Sequence, residues 1–135
     1  MGDAKRKLVR AWLVKAEHDL GSARKLSADP GPLLDTAIFH CQQAAEKAIK
    51  GFLVYHDKRF DRTHDIEVLL GLAATVEPGF SSWVEAGDRL TNYALDFRYP
   101  GDVLEPERAE FDEALRNASD LVAFVLNALP KPLRP

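Results

Sequence analysis

The sequence contains a single cysteine, Cys41, among its 135 residues. One thiol cannot form a disulfide within the chain, and it cannot build a metal site that needs several thiolate ligands. Cys41 also lies within an apolar run, which is typical of a buried and unreactive thiol. This cysteine usage fits a reducing compartment, and we expect the protein to be cytoplasmic.

Long hydrophobic runs are missing as well. The longest apolar tract, Leu121 to Leu129, is far shorter than the roughly 20 residues that a membrane-spanning helix needs. Residues 1–12 are basic but lead into no apolar segment of the kind found in secretory signals. We therefore expect neither a membrane anchor nor export.

Several motifs with known chemistry are absent. The sequence has no G-x-x-x-x-G-K-[ST] or G-x-G-x-x-G, the two glycine-rich devices that cradle phosphates, and no G-x-S-x-G nucleophile elbow. Its four histidines show no H-E-x-x-H or similar pairing with carboxylates at ligand spacing. We expect no metal and no cofactor.

Charge is unevenly divided along the chain, whose formal net charge is −3. Residues 1–62 hold 12 Lys/Arg against 8 Asp/Glu, whereas residues 63–135 hold 6 against 13. A molecule divided in this way can attract an anionic ligand on one side or pair head to tail with a copy of itself. Two ordinary solvated faces explain the same numbers equally well.

Proline and glycine divide the chain into segments, with breaks at 29–32, 78–79 and 100–101. Between the breaks, apolar residues recur with the 3.6-residue period of helices, and no segment alternates long enough for a strand. We predict an all-α fold, an antiparallel up-and-down helical bundle of four long helices plus one short helix. Residues 1–129 form one domain in this prediction, and residues 130–135, which include three prolines, form a frayed tail.

Capping residues mark the starts of two of these helices. Thr63 is predicted to cap the short third helix, and the acidic Asp65 follows it in the first turn. Ser82 and Glu85 form an S-x-x-E capping box that opens the fourth helix. The apolar stripe of this helix continues to Phe97, and we predict that the helix ends in the segment Asp96 to Asp102, where Pro100 and Gly101 stop it.

The second helix carries two stripes of side chains. The apolar stripe spans roughly 140° of the helical projection and consists of Ala37, Ile38, Cys41, Ala44, Ala45, Ala48, Ile49 and Phe52. A polar stripe borders it within roughly 60° and consists of Thr36, His40, Gln43, Lys47 and Lys50. Glu46 and Lys50 form an i,i+4 pair in the favourable orientation. The polar stripe is a solvated face, a docking surface or the wall of a site, and periodicity alone leaves all three open.

Three segments occur together in a recognisable order: FHCQQAAEKAIKGFL at 39–53, THDIEVLL at 63–70 and LTNYALDFRYPGD at 90–102. The set resembles the HEPN (higher eukaryote and prokaryote nucleotide-binding) domain family, and the earlier AWLVKAEHDLGSARKL is similar to the family's first helix. The resemblance extends from about Trp12 to Gly101. It implies a helical bundle, commonly a homodimer, that is found alone or beside a minimal nucleotidyltransferase. Some members are metal-independent ribonucleases, including toxins of toxin–antitoxin pairs, and others are described as nucleotide-binding.

The resemblance also suggests where a ligand binds. Arg98 and Tyr99 belong to the R-Y-P part of the signature, and a guanidinium with an aromatic ring can hold a phosphate and stack a base. Our hypothesis is that they face His40, Gln43 and Lys47 of the second helix across a groove. The predicted ligand-binding residues are His40, Gln43, Lys47, Lys50, Arg98 and Tyr99.

Ribonuclease members of the family carry an arginine and a histidine four to six residues apart. The one such match here is Arg59 to His64, and composition alone predicts about one match in this chain. Arg98 lies nearest the place of the family's catalytic arginine, but no histidine follows His64. Arg98, His64 and Arg59 are therefore only weak catalytic candidates, and the question of enzyme activity stays open.

Three functions remain at this point. The leading interpretation is a homodimer that binds a nucleotide, RNA or a minimal nucleotidyltransferase, as in a toxin–antitoxin-like pair. The second is a metal-independent endoribonuclease toxin. The third is a structural interaction module whose groove grips a partner helix.

Overall fold

The computed structural model describes all 135 residues. Five α-helices and no strands form the chain, which confirms the predicted all-α class. The helices are α1 (Asp3–Leu26), α2 (Leu34–Tyr55), α3 (Ile66–Ala74), α4 (Val84–Asn92) and α5 (Arg108–Asn127), with 3₁₀ helices at Pro78–Trp83 and Lys131–Leu133. α3 and α4 have nine residues each. The bundle therefore has three long and two short helices, where the sequence predicted four and one.

α2 is the central helix and packs against α1, α3 and α5. α1 and α2 run antiparallel, since Lys5 near the start of α1 pairs with Asp57 just after α2 at 2.9 Å, while the N–H of Leu33 before α2 donates to the carbonyl of Leu26 at the end of α1. α5 starts beside the end of α1, where Arg108 donates to the carbonyl of Ser27 at 2.8 Å. The short α3 and α4, with the 3₁₀ turn between them, lie side by side and antiparallel, since the N–H of Ile66 at the start of α3 donates to the Thr91 hydroxyl near the end of α4 at 3.0 Å.

The core contains 30 buried residues in one cluster, and α2 contributes the largest share. Every residue of the predicted apolar stripe of α2 is buried, as the helical period requires. The buried alanines at 37, 44, 45 and 48 have short side chains, which allow neighbouring helices to pack close to the backbone of α2. Every buried side-chain nitrogen and oxygen has a hydrogen-bond partner.

The fourth helix is shorter than predicted. It starts at Val84 after the 3₁₀ turn and ends at Asn92, and residues 93–97 form turns. The predicted capping box is wrong, because the Ser82 hydroxyl donates to the carbonyl of Gly79. The chain then turns at Phe97, whose φ of 67° lies in the left-handed region.

Thr63 does not cap α3. The N-cap is Asp65, whose carboxylate accepts hydrogen bonds from the N–H groups of Glu67 and Val68. The Thr63 hydroxyl instead accepts from the N–H of Asp65 at 3.0 Å. The carboxylate is the better cap because it carries negative charge at the positive end of the helix dipole.

The C-terminal residues, which the sequence predicted to fray, pack onto the bundle. Leu133 is buried. Arg10 of α1 donates to the carbonyls of Pro132 and Arg134, both at 3.1 Å. These contacts hold the segment despite its prolines.

None of the helices combines the length and the apolar character that crossing a membrane requires.

Candidate functional site

Two buried carboxylates organise the polar side of α2. Asp19 belongs to α1 and is 6% exposed, and Glu46 belongs to α2 and is 4% exposed. A buried carboxylate needs cationic or hydrogen-bonding partners, because its loss of hydration is otherwise uncompensated. Most of the predicted ligand-binding residues on α2 are these partners.

Asp19 binds two side chains of the polar stripe. Its Oδ1 lies 2.8 Å from Nδ1 of His40, and its Oδ2 accepts from Nζ of Lys47 at 2.7 Å. The side chains of His40 and Lys47 keep about a quarter of their surface exposed, at 26% and 25%. The structure therefore brings His40 and Lys47 together, as predicted, with their charge balanced by a carboxylate from the neighbouring helix.

Glu46 is the centre of the second network. Its Oε1 accepts from Gln42 at 3.0 Å and lies 2.8 Å from Nδ1 of His64, while its Oε2 accepts from Lys50 at 3.0 Å. The predicted pair of Glu46 and Lys50 is present, but it is buried, and the Lys50 side chain is only 9% exposed. The Lys50 ammonium is therefore engaged in an ion pair inside the protein, where it stabilises the fold and does not face a ligand. Gln43 donates to Oε1 of Gln42 at 2.7 Å and so joins the edge of this network.

The Glu46 network connects α2 to the loop before α3. Gln42 also donates to the backbone carbonyl of His64 at 3.0 Å. Hydrogen bonds thus link Gln42, Glu46 and Lys50 of α2 with the T-H-D turn, which consists of residues 63–65. Asp19, Gln42 and Glu46 were not predicted as site residues, and the i,i+4 spacing of Gln42, Glu46 and Lys50 is the signal that points to two of them.

The environment of Glu46 favours its ionised form. Burial alone would raise the pKa of its carboxyl, but hydrogen bonds from Gln42, His64 and Lys50 outweigh burial and hold the pKa below its ordinary value of 4.5. The carboxylate thus remains charged beside the Lys50 ammonium group.

Arg98 and His40 line one cleft of about 270 Å³, which we name the Arg98 cleft. Its walls are Asp35, Thr36, Phe39, His40, Phe97 and Arg98. The Arg98 guanidinium lies over the Phe39 ring, 4.2 Å from its centroid, and one of its N–H groups donates to the carbonyl of Ala94 at 3.0 Å. The Tyr99 ring is exposed and its centroid lies 5.9 Å from the guanidinium carbon. The turn at Phe97 thus brings the R-Y-P segment to the first turns of α2.

A second cleft of about 680 Å³ lies between the loop after α2 and α3, and we name it the Arg59–Arg62 cleft. Its lining consists of Arg59, Phe60, Asp61, Arg62, Thr63, Val68, Gly71 and Leu72. His64 lines neither of the two clefts. The catalytic candidates are therefore spread over three places: Arg98 in one cleft, Arg59 in the other, and His64 on Glu46.

Cys41 is expected to be inert in the folded protein. Burial raises the pKa of its thiol to about 12 from 9.0. At pH 8 the thiolate fraction falls roughly a thousandfold, and labelling by iodoacetamide slows by at least that factor, because only the thiolate reacts and the side chain has no access to solvent. Mass spectrometry of native and urea-unfolded samples measures the two rates. Similar rates in both samples would contradict a buried thiol.

Fold and site together define a helical-bundle domain whose second helix presents a carboxylate-bound polar stripe. The family model of the HEPN domain matches residues 9–128. The chain therefore belongs to the HEPN family, which confirms the resemblance seen in its residues. HEPN domains are broadly associated with nucleotides and RNA.

Two crystal structures have similar folds. TT1696 from Thermus thermophilus shares 30% identity, with 90% of this chain and 98% of that chain covered and a TM-score of 0.70. ST0689, an archaeal HEPN homologue, shares 28% identity, with 89% and 96% covered and a TM-score of 0.69. The chain matches no curated protein.

Proposed function

We propose that the Arg98 cleft binds the phosphate of a nucleotide or of single-stranded RNA. The observation that supports this proposal is that Arg98 and His40, from distant parts of the HEPN signature, line the same cleft. A guanidinium group is permanently charged and matches the geometry of phosphate oxygens.

The cleft offers a fixed set of donors and a stacking surface. One N–H of Arg98 donates to the carbonyl of Ala94, and contact with the Phe39 ring restrains the plane of the guanidinium. The other N–H groups of the guanidinium remain for a ligand. The exposed Tyr99 ring is available to stack a base. Asp35 also lines the cleft, but its carboxylate accepts from the N–H of Thr36 at 2.8 Å and so serves the first turn of α2.

His40 adds a second donor when its ring is protonated. Its Nδ1 is held by Asp19, so Nε2 is the ring nitrogen left for a ligand. Lys47 shares the same carboxylate and keeps the stripe close to neutral. In this proposal Arg98 supplies most of the attraction for phosphate and His40 adds to it, whereas the predicted residues Gln43 and Lys47 do not line the cleft.

Binding without chemistry fits this arrangement better than ribonuclease activity. A histidine that transfers a proton must lie within reach of the phosphate held by the arginine. His64 is bonded to Glu46 outside the Arg98 cleft. Arg59 lines a different cleft from Arg98, so the literal Arg–His match does not converge on the proposed site.

Replacing Arg98 with alanine should weaken binding of a fluorescein-labelled ten-nucleotide oligouridylate by at least tenfold. The salt dependence should also fall, by about 0.7 in the log–log slope for one lost phosphate contact on a single strand. Arg98→Lys should bind with intermediate affinity, because lysine keeps the positive charge but loses the planar arrangement of donors and the stacking of the guanidinium on the Phe39 ring. Fluorescence anisotropy between 50 and 200 mM salt measures both quantities, with AMP as competitor.

Arg116→Ala is the matched control, since Arg116 is exposed on α5 and forms no ion pair within the chain. Equal affinities for wild type, Arg98→Ala and Arg116→Ala would refute the proposed site. Cleavage of the oligonucleotide by wild type, lost on Arg98→Ala or His64→Ala, would support the ribonuclease function instead.

Membership of the HEPN family supports two further parts of the proposal. These are a homodimer and a toxin–antitoxin-like pairing with a minimal nucleotidyltransferase encoded beside it. Sedimentation velocity tests the first. Copurification of the tagged protein with the product of the adjacent reading frame tests the second, and a neighbour that does not copurify would count against it.

A further inference from the structure

The Arg59–Arg62 cleft has no part in the proposed phosphate site, yet its loop is firmly anchored. The Phe60 ring packs edge-to-face on Trp12, with centroids 6.4 Å apart, and the Lys50 ammonium lies 5.5 Å from the Phe60 centroid. His64, at the other end of the loop, is held by Glu46. Arg59 and Arg62 are therefore presented from a loop fixed on both sides.

Neither arginine is used within the chain. Arg59 and Arg62 are exposed and appear in none of the seven ion pairs of the structure. Asp61 lies between them in sequence and also lines the cleft, so the three side chains leave a net positive charge. The cleft therefore presents two arginine side chains that have no acidic partner within the chain and could pair with acids of another molecule.

The α3 side of this cleft is apolar. Val68 is 53% exposed, Leu72 is half-buried, and Gly71 between them has no side chain. A carbon atom added at Gly71 would meet nothing within 4 Å, so the cleft is open at this point. A complementary occupant therefore combines small aliphatic side chains with flanking acids.

The chain itself carries a segment with this chemistry, Asp102-Val103-Leu104-Glu105, which connects α4 to α5. Val103 and Leu104 are 64% and 62% exposed, and neither acid forms an ion pair. These two adjacent exposed aliphatic side chains offer apolar surface that docking would remove from water. The segment does not line the cleft of its own chain.

We propose that the Asp102–Glu105 segment of one copy docks in the Arg59–Arg62 cleft of a second copy. This inference rests on the proposed homodimer and names the surfaces that form it. The two acids pair with the two arginines, and Val103 and Leu104 cover Val68 and Leu72. The division of charge along the chain supports the docking, because the arginines lie in the basic residues 1–62 and the segment in the acidic remainder.

Charge reversal on each side tests the docking. Arg59→Glu with Arg62→Glu, and separately Asp102→Arg with Glu105→Arg, should each weaken the dimer at least tenfold in sedimentation velocity between 1 and 200 μM. All four substitutions in one chain should restore the wild-type dimer constant to within about threefold, because the attraction is rebuilt with opposite signs.

A matched glycine pair tests the cleft without changing charge. Gly71→Gln should fill the cleft and weaken the dimer at least tenfold, whereas Gly21→Gln, on α1 and equally open, should leave it unchanged. Circular dichroism melting of every variant confirms that it is folded. All the substituted residues except Gly21 are exposed, so the folded state should persist.

The outcomes separate this inference from the proposed function. A wild-type dimer that no charge or Gly71 variant weakens, or a fourfold variant that stays monomeric, overturns the docking and leaves the homodimer standing. A wild type that is monomeric at 200 μM overturns both. Loss of RNA binding in the Arg59–Arg62 double variant with an unchanged dimer would make the cleft a nucleic-acid surface and also overturn the docking. Binding at Arg98 is measured independently of all three.

Discussion

Replacing Glu46 with alanine should lower the free energy of unfolding by about 3–5 kcal/mol. The substitution leaves the buried Lys50 ammonium without its carboxylate and removes the acceptor of Gln42 and His64. An uncompensated buried charge is far more costly than the net gain from forming the pair. Urea unfolding followed by circular dichroism at pH 7 measures the loss.

The double variant Glu46→Leu with Lys50→Met is the control. It removes both charges and keeps similar volumes, so it should lose much less than Glu46→Ala alone. A single variant that unfolds at the wild-type urea concentration would show that the buried pair does not act as described.

The same carboxylate should make stability depend on pH. Because the folded pKa of Glu46 lies below the value of 4.5 for the unfolded chain, its contribution is complete above about pH 4.5. The contribution is lost as pH falls through the folded value, since the unfolded chain binds the proton first. Wild type should therefore lose stability more steeply than Glu46→Gln below pH 4.5.

Gly87→Ala should destabilise the fold by about 1–3 kcal/mol through overpacking. A carbon atom added at Gly87 would lie 2.6 Å from Cδ1 of Leu70 and 3.1 Å from Cγ2 of Ile66, both of which are buried. α4 therefore approaches α3 at this glycine more closely than any other residue permits. Urea unfolding measures the change.

Gly71→Ala is the matched substitution with the opposite expected sign. It lies in the interior of α3 with open space around it, so alanine should stabilise the protein by about 0.5–1 kcal/mol through helix propensity. Stabilisation by both substitutions would show that helix propensity, and not the α3–α4 contact, governs both sites.

The sequence was most informative where structure depends on near neighbours along the chain. The apolar stripe of α2 and the Glu46–Lys50 pair were predicted correctly, because both follow from the helical period. The length of the fourth helix was predicted wrongly. Residues 93–97 have a composition compatible with a helix, but the structure ends α4 at Asn92, forms turns over 93–97 and gives Phe97 a φ of 67°.

Some residues of the Arg98 cleft were named from the sequence, and their binding of a ligand stays a prediction. His40 and Arg98 were named from the family signature, and the structure places both in one cleft. Asp19 was not named, because a carboxylate on α1 has no periodic relation to residues on α2. Lys50 was expected to contact ligand, and only its burial against Glu46 shows that its charge is used inside the protein.

The sequence by itself determined that this chain folds as helices, which faces of those helices are apolar and which family it resembles. These properties depend on the order of side chains along a regular backbone with a known period. Tertiary structure alone decided that Asp19 balances His40 and Lys47, that Glu46 joins α2 to the T-H-D turn, and that Arg98 returns to the start of α2. Contacts between elements depend on how the helices pack and where loops turn, and no local period encodes either.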